Sequence, residues 1–402
     1  AARAADDASD ANRSAPMACA NLSVTGAPPT IIFTCSRNPA LLIASITILT
    51  CATVPKLARQ ASDGTQDIAV YYRASRQISA GNSPYRNERM AYLYPPLFAF
   101  ALKPSTSFGP VPFAVFWGVS LGACWVWALL VIARLTSESQ TLCAMDLVPS
   151  LILLRWILNG WARGQVALLL LALVCQGLLF DRNGRGALAA LFIAIAGGIK
   201  IFPLYLALLF IARRDATSTF LVAIFWTLLQ LVPAIQIAPA QLWDMIQQGL
   251  LGTVAQQLGA QQLDWDNRAV VASLFRMFGA HRGPLLTLGT VLWAAFCTLL
   301  FMRLKVPRRD SPERNLWLAL LLVSMLMSCP VIWPHYFTLL LFPITASLAF
   351  VSQSSTTGAA GARKILLVGT AAASALLNIN ASWLLDTSPG DAMEYATNVV
   401  FV

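Results

Sequence analysis

Asp63 and Asp67 stand in the polar stretch PKLARQASDGTQDIAVYYRASRQISAGNSPYRNERM, residues 55–90. A carboxylate there can act as a general base, taking the proton of an attacking hydroxyl. Thr65 or Asp67 can equally cap the helix that follows, because short polar side chains accept hydrogen bonds from its first amides. Lys200 is the only charge between Arg185 and Arg213, in AGGIKIFPLYL. A lone charge in an apolar segment is costly and marks a functional site by default. A lysine snorkelling from a helix end is the structural alternative. His335 lies in SCPVIWPHYFTLLLFP, after Pro330 and Pro334. It can donate to a phosphate oxygen or carry a proton, or it can be a satisfied core residue. Arg268 and Arg276 are eight residues apart in DWDNRAVVASLFRMFG, about two helical turns, so one helix face would carry both. That pair suits a lipid phosphate or diphosphate, or ordinary headgroups. The same stretch holds Asp264-Trp265-Asp266, an acidic pair of the kind that holds a metal or a nucleotide sugar, though on a single tripeptide. His281 adjoins Arg282 at the start of an apolar run. Neither a GxxxxGK[ST] nor a GxGxxG phosphate loop occurs.

The elements that must position these residues are unusually apolar. The 402 residues carry 28 Lys+Arg and 18 Asp+Glu, a formal net charge of +10, and are 57% hydrophobic and 11% charged. Soluble domains average about 25% charged residues, and so few charges cannot cover the surface of a chain this long. Composition thus excludes an ordinary soluble enzyme, a disordered chain and a nucleic-acid binder with a basic face. Runs without Asp, Glu, Lys or Arg cover 104–133, 216–243, 283–302, 315–362 and 365–385. Backbone amides in lipid must bond within their own segment, and the alternation of a transmembrane barrel is absent. The chain reads as an all-α polytopic integral membrane protein with about eleven or twelve transmembrane helices of about 20 residues each. The eight cysteines form no CxxC pair, and those in apolar runs read as small hydrophobes. No disulfide framework or zinc site is expected.

Residues 1–36 read as a flexible tail, 37–386 as the membrane domain and 387–402 as a C-terminal tail. Helices are expected near 40–54, 111–133, 143–158, 164–180, 187–199, 201–212, 217–237, 284–302, 315–329, 333–351 and 365–385. The segments around Lys200–Pro203 form either one kinked span or a broken pair. Ile68, Tyr71, Tyr72, Ser75 and Ile78 share a helical face, which Gly81, Asn82 and Pro84 terminate. This predicts an interfacial helix over 67–80 in the first external loop. The apolar stretch 91–103 is short for a full span, and the sidedness that follows holds only if it does not cross. Arg134, Arg182, Arg185, Arg213, Arg214, the run 303–314, Arg363 and Lys364 fall in turns on one side, which their charge makes cytoplasmic. The external side then receives 55–90, 155–165, the Lys200 turn, 238–282 and 329–335. It holds most carboxylates, both histidines and aromatics including Tyr71 and Tyr85. Function is expected on that face of the cell membrane, with lipid as a partner and nucleic acid excluded. A transporter or flippase of a lipid-linked sugar is the competing reading. Such proteins repeat broken helices in both halves, and only the Lys200 segment reads as broken.

QDIAVYYRASRQISAGNSPY with YLYPPLFAF, then GQVALLLLALV, GGIKIFPLYLALLFIARR, DNRAVVASLFR and SCPVIWPHYFTLLLFP follow in this order within residues 40–350. The set resembles glycosyltransferase family 87, which includes polyprenyl-phosphate-mannose-dependent mannosyltransferases. The resemblance implies a GT-C fold and inverting transfer of a hexose, mannose first, from a polyprenyl-phosphate donor to a lipid or glycan acceptor, with no cofactor. It implies Asp67 as the general base, Lys200 as the lysine of K-x-x-P and His335 as the histidine of W-x-H-Y. Lys200, His335 and Arg268 or Arg276 would stabilise the leaving phosphate without a metal, and Tyr71 and Tyr85 would contribute to substrate binding. The chain departs from the family pattern at Ala167, after GQV, and at Cys329, between Ser328 and Pro330.

Overall fold

The computed structural model describes residues 39–85, 92–136, 144–252, 267–277, 283–309, 311 and 313–353. The expected helix 365–385, both tails, Asp264 to Asp266, His281, Arg282, Arg363 and Lys364 lie outside the described residues. Among the described residues every regular element is a helix. Cys51, Cys124, Cys175, Cys297 and Cys329 are free thiols.

Helix α1 (Pro39–Ser62) continues well past the apolar run that predicted it. Its later turns are two-faced: Leu57 and Ala61 are buried while Lys56 and Arg59 are exposed, so one packed stripe carries it on. Helix α2 (Gln66–Ser79) buries Ile68, Tyr71, Ser75 and Ile78, with Tyr72 at the edge of that face. Helix α3 (Pro96–Thr106) has 11 residues, fewer than a full span needs. Tyr94, just before it, meets Tyr71 of α2 through their hydroxyls at 2.6 Å. Near its other end Thr106 Oγ1 lies 3.3 Å from Ser75 Oγ of α2.

Among the described residues three helices are long and apolar enough to span a bilayer: α4 (Pro110–Thr136), the helix Ala216–Ile235, whose α-helical part is α10 (Ala216–Leu231), and, after α11 (Pro239–Gln247) and α12 (Val270–Met277), α13 (Gly283–Met302), counted from Pro284. A fourth arises if α6 (Leu154–Ala162) and α7 (Ala167–Arg182), bent by 118°, count as one span. Phe220, Ile224, Leu228 and Leu231 of α10, and Leu288, Leu292, Phe296 and Leu299 of α13, are exposed at helical spacing. Apolar stripes of that extent belong in lipid. Several remaining segments are shorter than the charge-free runs suggested, because those runs include turns. The run 315–362 is interrupted by Pro330 and Pro334 and yields α14 (Glu313–Met327), a 3-10 stretch (Pro334–Leu340) and α15 (Leu341–Gln353). The segment expected at 143–158 breaks at Leu153 into α5 (Ala144–Ile152) and α6.

The Lys200 segment is a broken pair that doubles back. Helix α8 (Gly186–Ile199) ends at Lys200, and a 3-10 stretch (Phe202–Ala207) leads into α9 (Leu208–Ala212). Gly197 lacks a side chain where Leu204 returns against it. Gly186 starts the pair beside Ser218, and Arg213 ends it paired with Asp181 at the end of α7.

Asp181 also pairs with Arg314, which is 2% exposed. Around it Arg182 Nη1 donates to the Arg134 and Leu135 carbonyls at 2.8 Å, and Asn315 Nδ2 donates to Leu135 O at 2.6 Å. The turns that carry Arg134, Arg182, Arg213 and Arg314 thus meet at one end of the bundle, stitched by a buried carboxylate. Removing one member of a buried ion cluster strands the others, at about 3–5 kcal/mol. Asp181→Asn is therefore expected to lower the Tm of the detergent-purified protein markedly. An unchanged Tm would show that the cluster does not hold this end together.

Candidate active site

Asp67 is in the first turn of α2. Thr65, at the N-cap, makes no side-chain cap bond, so the capping role it was offered is unfilled. Gly64 (φ 70°) and Gln66 (φ 61°) both adopt the left-handed region. For a non-glycine residue this costs about 1–3 kcal/mol and is tolerated where surrounding structure fixes it. The strain immediately precedes Asp67.

The carboxylate of Asp67 meets groups from two distant turns. Lys200 and the exposed Arg163 act on it electrostatically, and the side chain of Gln165 lies beside it. Burial holds its pKa above the usual carboxylate value, with both cations and the neighbouring Gln165 side chain pulling the other way. Arg163 and Gln165 belong to the bend between α6 and α7. Gly164 there has φ 74°, and a Cβ on it would lie 2.9 Å from Ile68 Cβ. Only glycine lets the bend press on α2 beside Asp67. Trp117 Nε1 donates to Gly164 O at 2.7 Å, and Gln165 N donates to Gly160 O at 2.8 Å, so the bend is tied on both sides.

Lys200 has extended backbone in the turn after α8 and is 8% exposed. Its Nζ sits 3.9 Å from the Tyr94 ring centroid and 5.7 Å from that of Tyr336, a cation–π arrangement. Burial pulls its pKa down to about 8, while Asp67 pulls it up. His335 is buried, 4.4 Å from the Tyr336 ring, within electrostatic reach of Lys200 and Arg163, and its Nε2 has no partner among the described residues. A cleft beside Lys200 is lined by Leu93, Phe202, Pro330, Trp333 and Tyr336. A carboxylate and a histidine, each within electrostatic reach of one buried lysine, can accept a proton and stabilise a departing anion.

Asp67, Lys200 and His335 are therefore brought together. Asp63 is exposed in the turn before α2. Tyr71 is fully buried against Tyr94, Phe98 and Trp117. Tyr85 OH donates to Tyr94 O at 2.6 Å, so both tyrosines brace Tyr94 beneath Lys200. Arg268 and Arg276 do not share a helix face. Helix α12 starts only at Val270 (Val270–Met277). Asn267 Oδ1 accepts from Ala269 N and Ile332 N, its Nδ2 donates to Pro330 O, and Arg268 N donates to Ile332 O at 2.7 Å. These bonds hold 267–269 non-helical against the His335 turn. The side-chain position of Arg276 lies outside the described part of the structure. Gln165, Tyr94, Tyr336 and Asn267 went unrecognised as site residues in the sequence. Gln165 alone left a signal there, a buried-type polar residue opening a long apolar run.

Fold and site together define a helical membrane protein that gathers acid–base and cationic groups at one end of its bundle. The family model of glycosyltransferase family 87 matches residues 92–334, more than half of the chain. The chain belongs to that family and is a glycosyltransferase. Searches of the curated proteins and of the solved structures found no match. The matched span contains Tyr94, Arg163, Gln165 and Lys200; Asp67 precedes it and His335 directly follows it. The second broken helix, at the α6–α7 bend, removes the argument against a transporter that rested on a single break; family membership decides for the transferase.

Proposed function

We propose that the protein transfers a hexose, mannose first, from a polyprenyl-phosphate donor to a lipid or glycan acceptor at the external face of the cell membrane, with inversion. The observation that carries this reading is the mutual electrostatic reach of Asp67 and the buried Lys200, brought together from α2 and the turn after α8. The acceptor hydroxyl oxygen attacks the anomeric carbon as Asp67 takes its proton. The bond from that carbon to the phosphate oxygen breaks on the opposite face, and its electron pair leaves on the phosphate. Lys200, held over Tyr94, stabilises that charge together with His335, Arg163 and Arg268, while Arg276 remains a candidate for the same phosphate. Desolvation makes Asp67 a stronger base than a free carboxylate, and Lys200 keeps it ionised. The polyprenyl tail stays in the bilayer.

Sidedness is tested by single cysteines on a cysteine-free background. Arg76, in α2, and Arg309, at the opposite end, are both exposed. Arg76→Cys should react with an impermeant maleimide from outside intact cells, and Arg309→Cys only after permeabilisation. The reverse pattern would place the site inside. Deleting the protein should remove one mannosylated lipid or glycan from the envelope; an unchanged glycan profile would count against the proposed reaction.

A further inference from the structure

Residues 328–333, between α14 and the 3-10 stretch that carries His335, form no helix. Pro330 and Pro334 have no amide hydrogen to donate. Trp333, directly ahead of Pro334, is extended at φ −80° and ψ 149°. A stretch held open in this way must find partners for its backbone outside itself. It finds them at residues 267 and 268. Asn267 is fully buried, accepts from Ile332 N at 2.9 Å and donates through Nδ2 to Pro330 O at 3.1 Å. Beside it Arg268 N donates to Ile332 O at 2.7 Å. Asn267 Oδ1 also accepts from Ala269 N at 2.9 Å, which fixes the amide against its own backbone. A carboxamide carries both the donor and the acceptor of a peptide group. Asn267 and Arg268 together therefore stand in for a neighbouring strand.

What they hold is one wall of the cleft. Pro330, Val331 and Trp333 line it together with Lys200, Phe202 and Tyr336. Tyr336 N donates to Trp333 O at 2.9 Å, which ties the His335 turn to the end of that wall. We propose that Asn267 is a positioning residue: by pairing with Pro330 and Ile332 it fixes the 330–333 wall of the Lys200 cleft, and through that wall the place of His335. The effect on turnover rests on the transferase reading above; the clamp itself does not.

Two measurements test this. The first is hydrogen–deuterium exchange of substrate-free protein in nanodiscs, resolved to single amides by mass spectrometry. Asn267→Ala removes the partner of Ile332 N and Ala269 N directly, so faster exchange there decides nothing. The deciding amides are Arg268 and Tyr336, whose own acceptors, Ile332 O and Trp333 O, are untouched by the substitution. Both should exchange about tenfold faster in the variant, with the amides of α4 unchanged. Unmoved Arg268 and Tyr336 amides overturn the positioning role. Asn267→Asp has the same shape and, when ionised, only accepts; it should speed the same two amides and serves if the alanine variant does not fold. The second measurement is kinetic. Asn267→Ala should lower kcat by about ten- to a hundredfold, as a small misplacement remote from the chemistry does. In a His335→Ala background the group that the wall places is already gone, so Asn267→Ala should cost no more than about threefold further. Losses that multiply in full overturn the placement of His335 by Asn267. Wild-type protein that transfers nothing, with the exchange result as expected, overturns the transferase reading and supports the clamp.

Discussion

Asp67→Asn is expected to cut glycosyl transfer by roughly a hundred- to ten-thousandfold, the usual worth of a general base. A sugar hydroxyl is a poor nucleophile until its proton has a destination, and Asp67 is the carboxylate that meets Lys200, Arg163 and Gln165. The substitution keeps the shape, and asparagine serves a helix start about as well as aspartate. Lost attraction to the N-terminal dipole of α2 costs only about 0.3–1 kcal/mol. The variant should therefore insert, purify as one species and still bind donor. Asp63→Asn is the internal control: Asp63 is exposed and its variant should be nearly normal. A dead Asp63 variant with an active Asp67 variant would mean the wrong carboxylate. If both are active, the base lies elsewhere, with Asp264 and Asp266 next.

Lys200→Ala should lose a hundredfold or more, because one preorganised group aimed at developing charge is worth about 2.7–4 kcal/mol. His335→Ala should fall in the same range. Near wild-type turnover by both variants would make these residues structural. The pH profile sharpens the Lys200 claim. Its pKa is pulled down to about 8, so the cation is present below that pH and is lost as pH rises through it. The kcat/KM, which reports the free enzyme, should decline above about pH 8. Asp67, held above its usual value by burial, is ionised only above its raised pKa, so the acid limb should begin higher than for an ordinary carboxylate. Arginine keeps its charge at any attainable pH; Lys200→Arg, if active, should lose the alkaline limb. A flat profile through pH 8 in wild type would show that Lys200 ionisation does not limit the reaction.

The long spans were legible because lipid-facing α4, α10 and α13 need apolar residues on every turn. Helix α2 was legible from the spacing of Ile68, Tyr71, Ser75 and Ile78, and Lys200 and His335 from the rarity of their types in apolar runs. The grouping of basic turns was legible from the positions of Arg134, Arg182, Arg213 and the 303–314 run; their meeting around Asp181 was not. Gln165 escaped notice because its position depends on the 118° bend between α6 and α7, and a chain reversal of that kind leaves little periodicity. The shared helix face of Arg268 and Arg276 was misjudged because spacing assumes a continuous helix, whereas Asn267 spends its hydrogen bonds on the 330–332 turn. Several expected helices are shorter than the runs that suggested them because a run without charges need not be a run of α-helix, as Pro330 and Pro334 demonstrate.

The most direct test uses the purified protein in lipid nanodiscs, given radiolabelled polyprenyl-phosphate mannose and a membrane lipid extract, with Asp67→Asn in parallel. The expected result is transfer of label to a new lipid or glycan product by wild type, none by the Asn variant, and none when GDP-mannose replaces the lipid donor. Direct use of GDP-mannose, or label that crosses a vesicle bilayer without ever being transferred, would contradict a polyprenyl-phosphate-dependent transferase built around Asp67 and Lys200.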